Sequence, residues 1–351
     1  MTASLEQLRR CHFAVDLGAA RTRVYVKGAG LVVDQPSAAA VNTNTGALIA
    51  VGELAEKMTG RTPQHIRVVR PVSGGTVVDI EMAQRMLRHL LGDKVRRTLR
   101  RKPGLRAAAC IPHDAGPLAR RATTETLVGL GARRVELVDT LIAAAVGCGL
   151  PVEQPEATMV LVCGAAATQV AVLSLGSIVT AERIPVGGEA VDNAIVLHLR
   201  HEHELVLPSQ SVRPLQLALS GNGLTPHGPT STEIHGRDVA TGLPRSVRID
   251  TAAVREAIQT PLTAVLDGIG KALRECPPDL VADLADRGIM MVGGSALLPG
   301  FDQMLRQATG MPVHIAERPD VCAVRGLGTM LEGRVEPLEL NSLDQVSPPA
   351  P

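Results

Sequence analysis

Asp16-Leu17-Gly18-Ala19-Ala20-Arg21-Thr22-Arg23-Val24-Tyr25-Val26 can be laid over Val162-Cys163-Gly164-Ala165-Ala166-Ala167-Thr168-Gln169-Val170-Ala171-Val172, and six of the eleven positions are identical. Each copy reads as a strand, a tight turn of small residues, and a second strand with alternating valines. A hairpin duplicated in this way implies two related domains facing each other. Chance likeness between Ala/Val-rich strands is the competing explanation. Turns without bulky side chains expose backbone N–H groups that can cradle phosphate. Asp16, at a strand end, can hold a metal through water, and Thr22 can orient the loop. A lone Asp-x-Gly is common in turns. Two such hairpins, with a third small-residue turn at Gly293-Gly294-Ser295, make a floor for a nucleotide.

Outward from the hairpins, strands alternate with helices, the pattern of an α/β protein. Strand-like segments run over Leu31 to Val33, Ala38 to Val41, Leu48 to Val51, Arg106 to Ile111 and Val135 to Val138. Apolar residues at Met82, Met86, Leu87, Leu90 and Leu91 predict a helix over Ile80 to Leu91. Further helices are expected over Ala119 to Leu130, from Thr140, from Glu189, over Thr251 to Arg274, and over Gly300 to Thr309. Pro277-Pro278 should stop the fourth of these. Ser177 to Pro185 is β-like, Leu219 to Thr232 reads as a loop, and the tail after Glu332 as disordered.

Composition narrows the function classes. The chain of 351 residues is long for one core, is 45% hydrophobic, and balances 36 Lys+Arg against 35 Asp+Glu. That balance and the presence of only three aromatics, Phe13, Tyr25 and Phe301, argue against nucleic-acid binding. The six cysteines form no CxxC pair, which speaks against zinc and disulfide frameworks and for reduced thiols in a cytosolic protein. The opening MTASLEQLRRCHF has no signal-like apolar region, and no run approaches the roughly 18 apolar residues of a membrane span.

Longer stretches carry a resemblance. Residues 27–71 (KGAGLVVDQPSAAAVNTNTGALIAVGELAEKMTGRTPQHIRVVRP), VGGEAVDNAIV at 186–196, GRDVATGLP at 236–244 and the run from Asp286 to Glu332 are similar to the MreB family. These are the bacterial actins of the actin, sugar-kinase and Hsp70 superfamily. The resemblance implies an actin-like ATPase fold: two duplicated α/β domains, each with a smaller subdomain, around a nucleotide cleft. It sets a leader at 1–10, domain I at 11–145 (small subdomain 28–69, rejoined by 317–335), domain II at 146–316 (small subdomain 185–248) and a tail at 336–351. It implies ATP with Mg2+ as cofactor and filaments at the inner membrane face. Partners would be further copies of the chain and membrane-bound cell-wall elongation proteins, with no nucleic acid.

Carried over position by position, the nucleotide site would comprise Asp16, Gly18, Ala19, Ala20, Arg21 and Thr22 in the first turn. Gly164, Ala165, Ala166, Ala167 and Thr168 form the second, and Gly293, Gly294, Ser295 and Ala296 the adenosine loop. Arg213, Pro214, Leu215 and Gln216 align less securely with a Glu-Glu-Ile-Lys stretch on the nucleoside. The departures bear on chemistry. The first turn normally reads Asp-Leu-Gly-Thr-Ala-Asn-Thr, and here Ala19 and Arg21 replace Thr and Asn. The second normally reads Asp-Ile-Gly-Gly-Gly-Thr-Thr-Glu, and Val162 replaces its metal-side Asp. Ala119 replaces a Glu that orients the attacking water. Losing both carboxylates predicts weak hydrolysis or none. Asp139 and Glu136 are the carboxylates left to replace them. The extra methyls of Ala165 and Ala166 are expected to narrow the shapes open to the second turn.

Several readings keep their alternatives. The expectation from the resemblance is a filament-forming cytoskeletal protein linked to cell shape and wall synthesis. A non-polymerising adaptor of the same fold and a working superfamily ATPase compete with it. A sugar kinase would need an Asp base, for which only Asp79 offers itself. His198, His201 and His203 could meet a metal or end a solvated helix. Seven Lys/Arg residues from Lys94 to Arg106 suit anionic lipid or a solvated loop, and Leu5 and Leu8 beside Arg9 and Arg10 suggest a short interfacial helix.

Overall fold

The computed structural model describes residues 4–100, 102–208, 211–212, 215–216 and 231–335. The predicted first hairpin is β1 (Phe13–Leu17) and β2 (Arg21–Val26), continued by β3 (Gly30–Pro36) and flanked by β4 (Arg106–Ile111) and β5 (Arg134–Asp139). Strand order is β5-β4-β1-β2-β3, with β1, β2 and β3 antiparallel and β1, β4 and β5 parallel. The second sheet comprises β6 (Thr158–Cys163), β7 (Thr168–Ser174), β8 (Ser177–Ile184), β9 (Ile289–Val292) and β10 (Val313–Ile315). Its order, β8-β7-β6-β9-β10, repeats the first strand for strand and in the same senses. The register repeats as well. Asp16 faces Arg23 across the first hairpin as Val162 faces Gln169 across the second. Every residue of β6 and β7 is buried, with apolar runs at Met159 to Cys163 and Val170 to Leu173, as strands covered on both faces require.

Helices cover the sheets. They are α1 (Leu5–Arg9), α2 (Ile80–Arg100), α3 (Pro117–Val128), α4 (Thr140–Gly147), α5 (Gly188–His203), α6 (Thr251–Glu275), α7 (Pro278–Arg287), α8 (Phe301–Thr309) and α9 (Cys322–Leu331). Two main apolar clusters fill the space between sheet and helices, one per domain. Helices α4 and α9, which follow the last parallel strand of each sheet, pack against one another between these cores. At their crossing a Cβ on Gly147 would run into the Cys322 carbonyl, and one on Gly326 into the Ala143 carbonyl. Only glycine allows backbone to meet backbone there. Segment 28–69 carries a three-stranded sheet around Ala39–Asn42 and the short helix Glu53–Met58. Segment 185–248 carries another, in which Ser231–Asp238 is central.

Several expectations change. The basic stretch is helical as far as Arg100, after a break at Gly92 where φ is +62°. Val95 and Leu99, four apart, pack onto the first core and hold that extension against it. The leader helix turns its apolar side inward: Leu8 is 2% exposed and, with Leu5, joins Leu327, Met330 and Leu331 of α9. Pro277-Pro278 ends α6 but also starts α7, with Pro278 in the first turn, where its missing N–H costs nothing. Ser231 and Thr232 begin a strand, while 219–230 and the tail 336–351 lie outside the described residues.

Candidate nucleotide site

The two turns are built alike. Gly18 N–H donates to Arg21 O at 3.0 Å, and Gly164 N–H to Ala167 O at 3.0 Å. A Cβ would sit 2.8 Å from the Arg21 oxygen in the first and 2.7 Å from the Ala167 oxygen in the second. Close approach, rather than a left-handed backbone, therefore demands glycine at both. Ala19, Ala20, Ala165 and Ala166 all keep negative φ, so the extra methyls of Ala165 and Ala166 do not strain the second turn. Among the described residues the N–H groups of these four alanines meet no acceptor, which fits them to the oxygens of a phosphate chain.

Side chains brace the first turn. Thr22 Oγ1 lies 2.8 Å from Ser37 Oγ, which donates to Gly18 O at 2.6 Å. Arg21 does not reach into the cleft; its Nε and Nη2 donate to Asp34 Oδ1 at 2.6 Å and Asp34 O at 2.8 Å. Beneath it Arg23, 8% exposed, sits 3.2 Å from Asp34, 3.3 Å from Asp320 and 3.9 Å from Asp16. Burial raises the Asp16 carboxyl above its usual range; Arg23 opposes the shift and Asp34 adds to it.

The second turn is tied to two other loops. Thr168 Oγ1 donates to Val186 O at 2.7 Å. Gly164 O accepts from Gly188 N at 3.0 Å and from Ser295 Oγ at 2.9 Å, and Glu189 N donates to Ala165 O at 2.8 Å. Gly293, with φ +89°, donates to Pro319 O at 2.7 Å, and a 3-10 turn, Gly294–Leu297, follows with Ala296 buried. The structure thus gathers the second turn and the predicted adenosine loop into one hydrogen-bonded group. Leu215 is buried, and Gln216 Nε2 donates to Asp192 Oδ1 of α5 at 2.5 Å. Arg213 and Pro214 lie outside the described residues.

The carboxylate positions are apolar as read. Val162 is 8% exposed in β6, and Ala119 lies in the first turn of α3. Among the described residues no group of three or more His, Cys, Asp and Glu could hold a metal. The described residues therefore offer a divalent ion no cage of their own, and Asp16, itself beside Arg23, would hold one through water. Glu136 is mid-strand opposite Ala108, whereas Asp139 ends β5, caps α4 and faces His113 Nδ1 at 2.7 Å. Sequence reading missed His113, because it lies 26 positions from its partner. A cavity of about 310 Å³ beside this pair is lined by Arg120, Leu137 and Ile142 of the first domain and Ser177 and Ile178 of the second. A larger one of about 380 Å³, among α6, α7 and the end of α8, has apolar walls, and neither cavity is lined by a residue of the turns.

Comparisons with known proteins agree with this geometry. The MreB/Mbl protein family matches residues 10–338. The cell shape-determining protein MreB of Escherichia coli (strain K12) is 35% identical over 323 residues, which is 91% of this chain and 92% of that one. The crystal structure of MreB 5 of Spiroplasma citri bound to AMPPNP superposes with TM-score 0.82 at 29% identity, covering 90% of this chain and 93% of that chain. The MamK double helical filament, at 19% identity and TM-score 0.73 over 91% of this chain and 98% of that chain, shares the fold. With a matching family spanning nearly the whole length and a duplicated actin-like pair of sheets, the chain belongs to the MreB/Mbl family.

Proposed function

We propose that this chain is an actin-like cytoskeletal protein that binds adenine nucleotide between its two domains and assembles with further copies of itself to direct cell shape. The observation that carries the reading is the pair of matched turns, each offering unsatisfied N–H donors from equivalent places in two equivalent sheets. The Escherichia coli relative is named for cell shape determination, the Spiroplasma citri relative is bound to AMPPNP, and MamK of the same fold forms a double helical filament. Nucleotide would enter with Mg2+, held by phosphate and water more than by protein. Its work would lie at the inner membrane face beside membrane-bound wall-elongation proteins. Among the described residues no helix is long and apolar enough to cross a membrane, so such contact would be peripheral.

Hydrolysis would be slow. In-line attack asks for a positioned water and anions to hold it and the metal, and Val162 and Ala119 supply neither. Calorimetric titration with ATP and magnesium, followed by pelleting of the same sample, tests the reading. Saturable binding with nucleotide-dependent pelleting is expected. Binding without any self-association would favour an adaptor of the same fold, and no binding would overturn the nucleotide reading.

A further inference from the structure

We propose that His113, oriented by Asp139, is the base that activates water against the terminal phosphate of bound nucleoside triphosphate, and so supports the slow turnover left after loss of both family carboxylates. The inference rests on the nucleotide reading above. Ligands of such sheets bind beyond the carboxyl ends of parallel strands. Asp139 ends β5, His113 follows β4, and Asp16-Leu17-Gly18 ends β1, so the three stand on neighbouring strands at one edge. Cys110, on the strand between those that carry Asp16 and Asp139, is buried, and its thiol is raised by burial and then by the charges of both.

The second domain closes the arrangement. The backbone N–H of His113 donates to Gln169 Oε1 at 3.0 Å, and Gln169 is the cross-strand partner of Val162. The main chain at His113 is thus tied to the residue facing Val162. Arg120, which follows Ala119, lines the same cavity between the domains. Arg120 thus brings the residue after Ala119 to the cavity beside the pair, and Gln169 brings the residue that faces Val162.

Chemistry selects a base over an anion site. Asp139 Oδ1 accepts from Leu141 N at 2.9 Å and Oδ2 faces His113 Nδ1 at 2.7 Å, so both oxygens are engaged and the carboxylate cannot turn. An acceptor at Nδ1 places the imidazole proton there and leaves a lone pair on Nε2. Among the described residues Nε2 has no hydrogen-bond partner, and the ring is 41% exposed beside the cavity. In the step, the water oxygen forms a bond to the terminal phosphorus while the bond from phosphorus to the bridging oxygen breaks. That electron pair leaves on the nucleoside diphosphate. The water proton passes to Nε2, Asp139 balances the imidazolium, and the proton then returns to solvent.

The test uses full-length protein with ATP and magnesium. Phosphate release, nucleotide affinity by calorimetry and the ¹⁵N spectrum of the histidine rings are followed for wild type, His113→Gln and Asp139→Asn. Slow release by wild type should fall at least about 100-fold in His113→Gln, with affinity within about 2-fold. Asp139→Asn keeps a capping side chain for α4 but should move the ring proton from Nδ1 to Nε2, seen in the ¹⁵N spectrum, with at least about 10-fold slower release. Wild-type binding without release, or equal release by wild type and His113→Gln, overturns the proposal and leaves the nucleotide reading standing. A wild type that binds no nucleotide overturns both.

Discussion

Val162 and Gln169 face one another at the place where Asp16 and Arg23 face in the other half, and this pairing decides how the site could be repaired. An acid at Val162 would arrive opposite an amide side chain whose Oε1 already accepts from His113, leaving its amino group to meet a carboxylate. An acid at Ala119 would precede Arg120, which lines the cavity between the domains. The double variant Val162→Asp with Ala119→Glu is therefore expected to release phosphate at least about 10-fold faster than wild type. An unchanged rate, at unchanged nucleotide affinity, would mean that these two positions do not limit turnover. Val162 and Ala119 stand out in the sequence because each lies inside a short stretch that resembles a family motif. The engagement of Arg21 and Arg23 does not, since their partners Asp34 and Asp320 come from other elements, the latter 297 positions from Arg23.

Among the elements, the first helix shows how a correct pattern can receive the wrong partner. Leu5 and Leu8 with flanking arginines describe an amphipathic helix, and the Ser4 capping box confirms one. Sequence cannot say whether its apolar side meets lipid or protein. Here it meets α9, and two bonds tie it down: Arg9 Nη2 donates to Val335 O at 3.0 Å and Lys27 Nζ to Arg9 O at 2.7 Å. Leu8→Ala should accordingly cost about 3 kcal/mol in denaturant unfolding and leave binding to anionic vesicles unchanged. Loss of vesicle binding without loss of stability would return the helix to the membrane. The extension of α2 was hidden for a related reason. Gly92 and the dense positive charge mask Val95 and Leu99, whose spacing becomes meaningful only beside the core they cover.

At the scale of the whole molecule the duplication was the most readable feature, because a repeated hairpin carries its strand order with it. The junction between the halves was less so, since it depends on two glycines, Gly147 and Gly326, far apart in the chain. Even one methyl at Gly326 overlaps the Ala143 carbonyl, so Gly326→Ala should lower unfolding stability by about 3 kcal/mol or more. An unchanged denaturation midpoint would show that the helices can part at no cost. The bare crossing of α4 and α9 also restricts how the halves can move. Interlocked side chains let packed helices slide in small steps, but at this crossing backbone meets backbone twice, Gly147 against Cys322 and Gly326 against Ala143. Sliding there would drive backbone into backbone, so relative motion is expected as a turn about the crossing, and a small turn at the centre becomes a wide swing at the rims of the cleft.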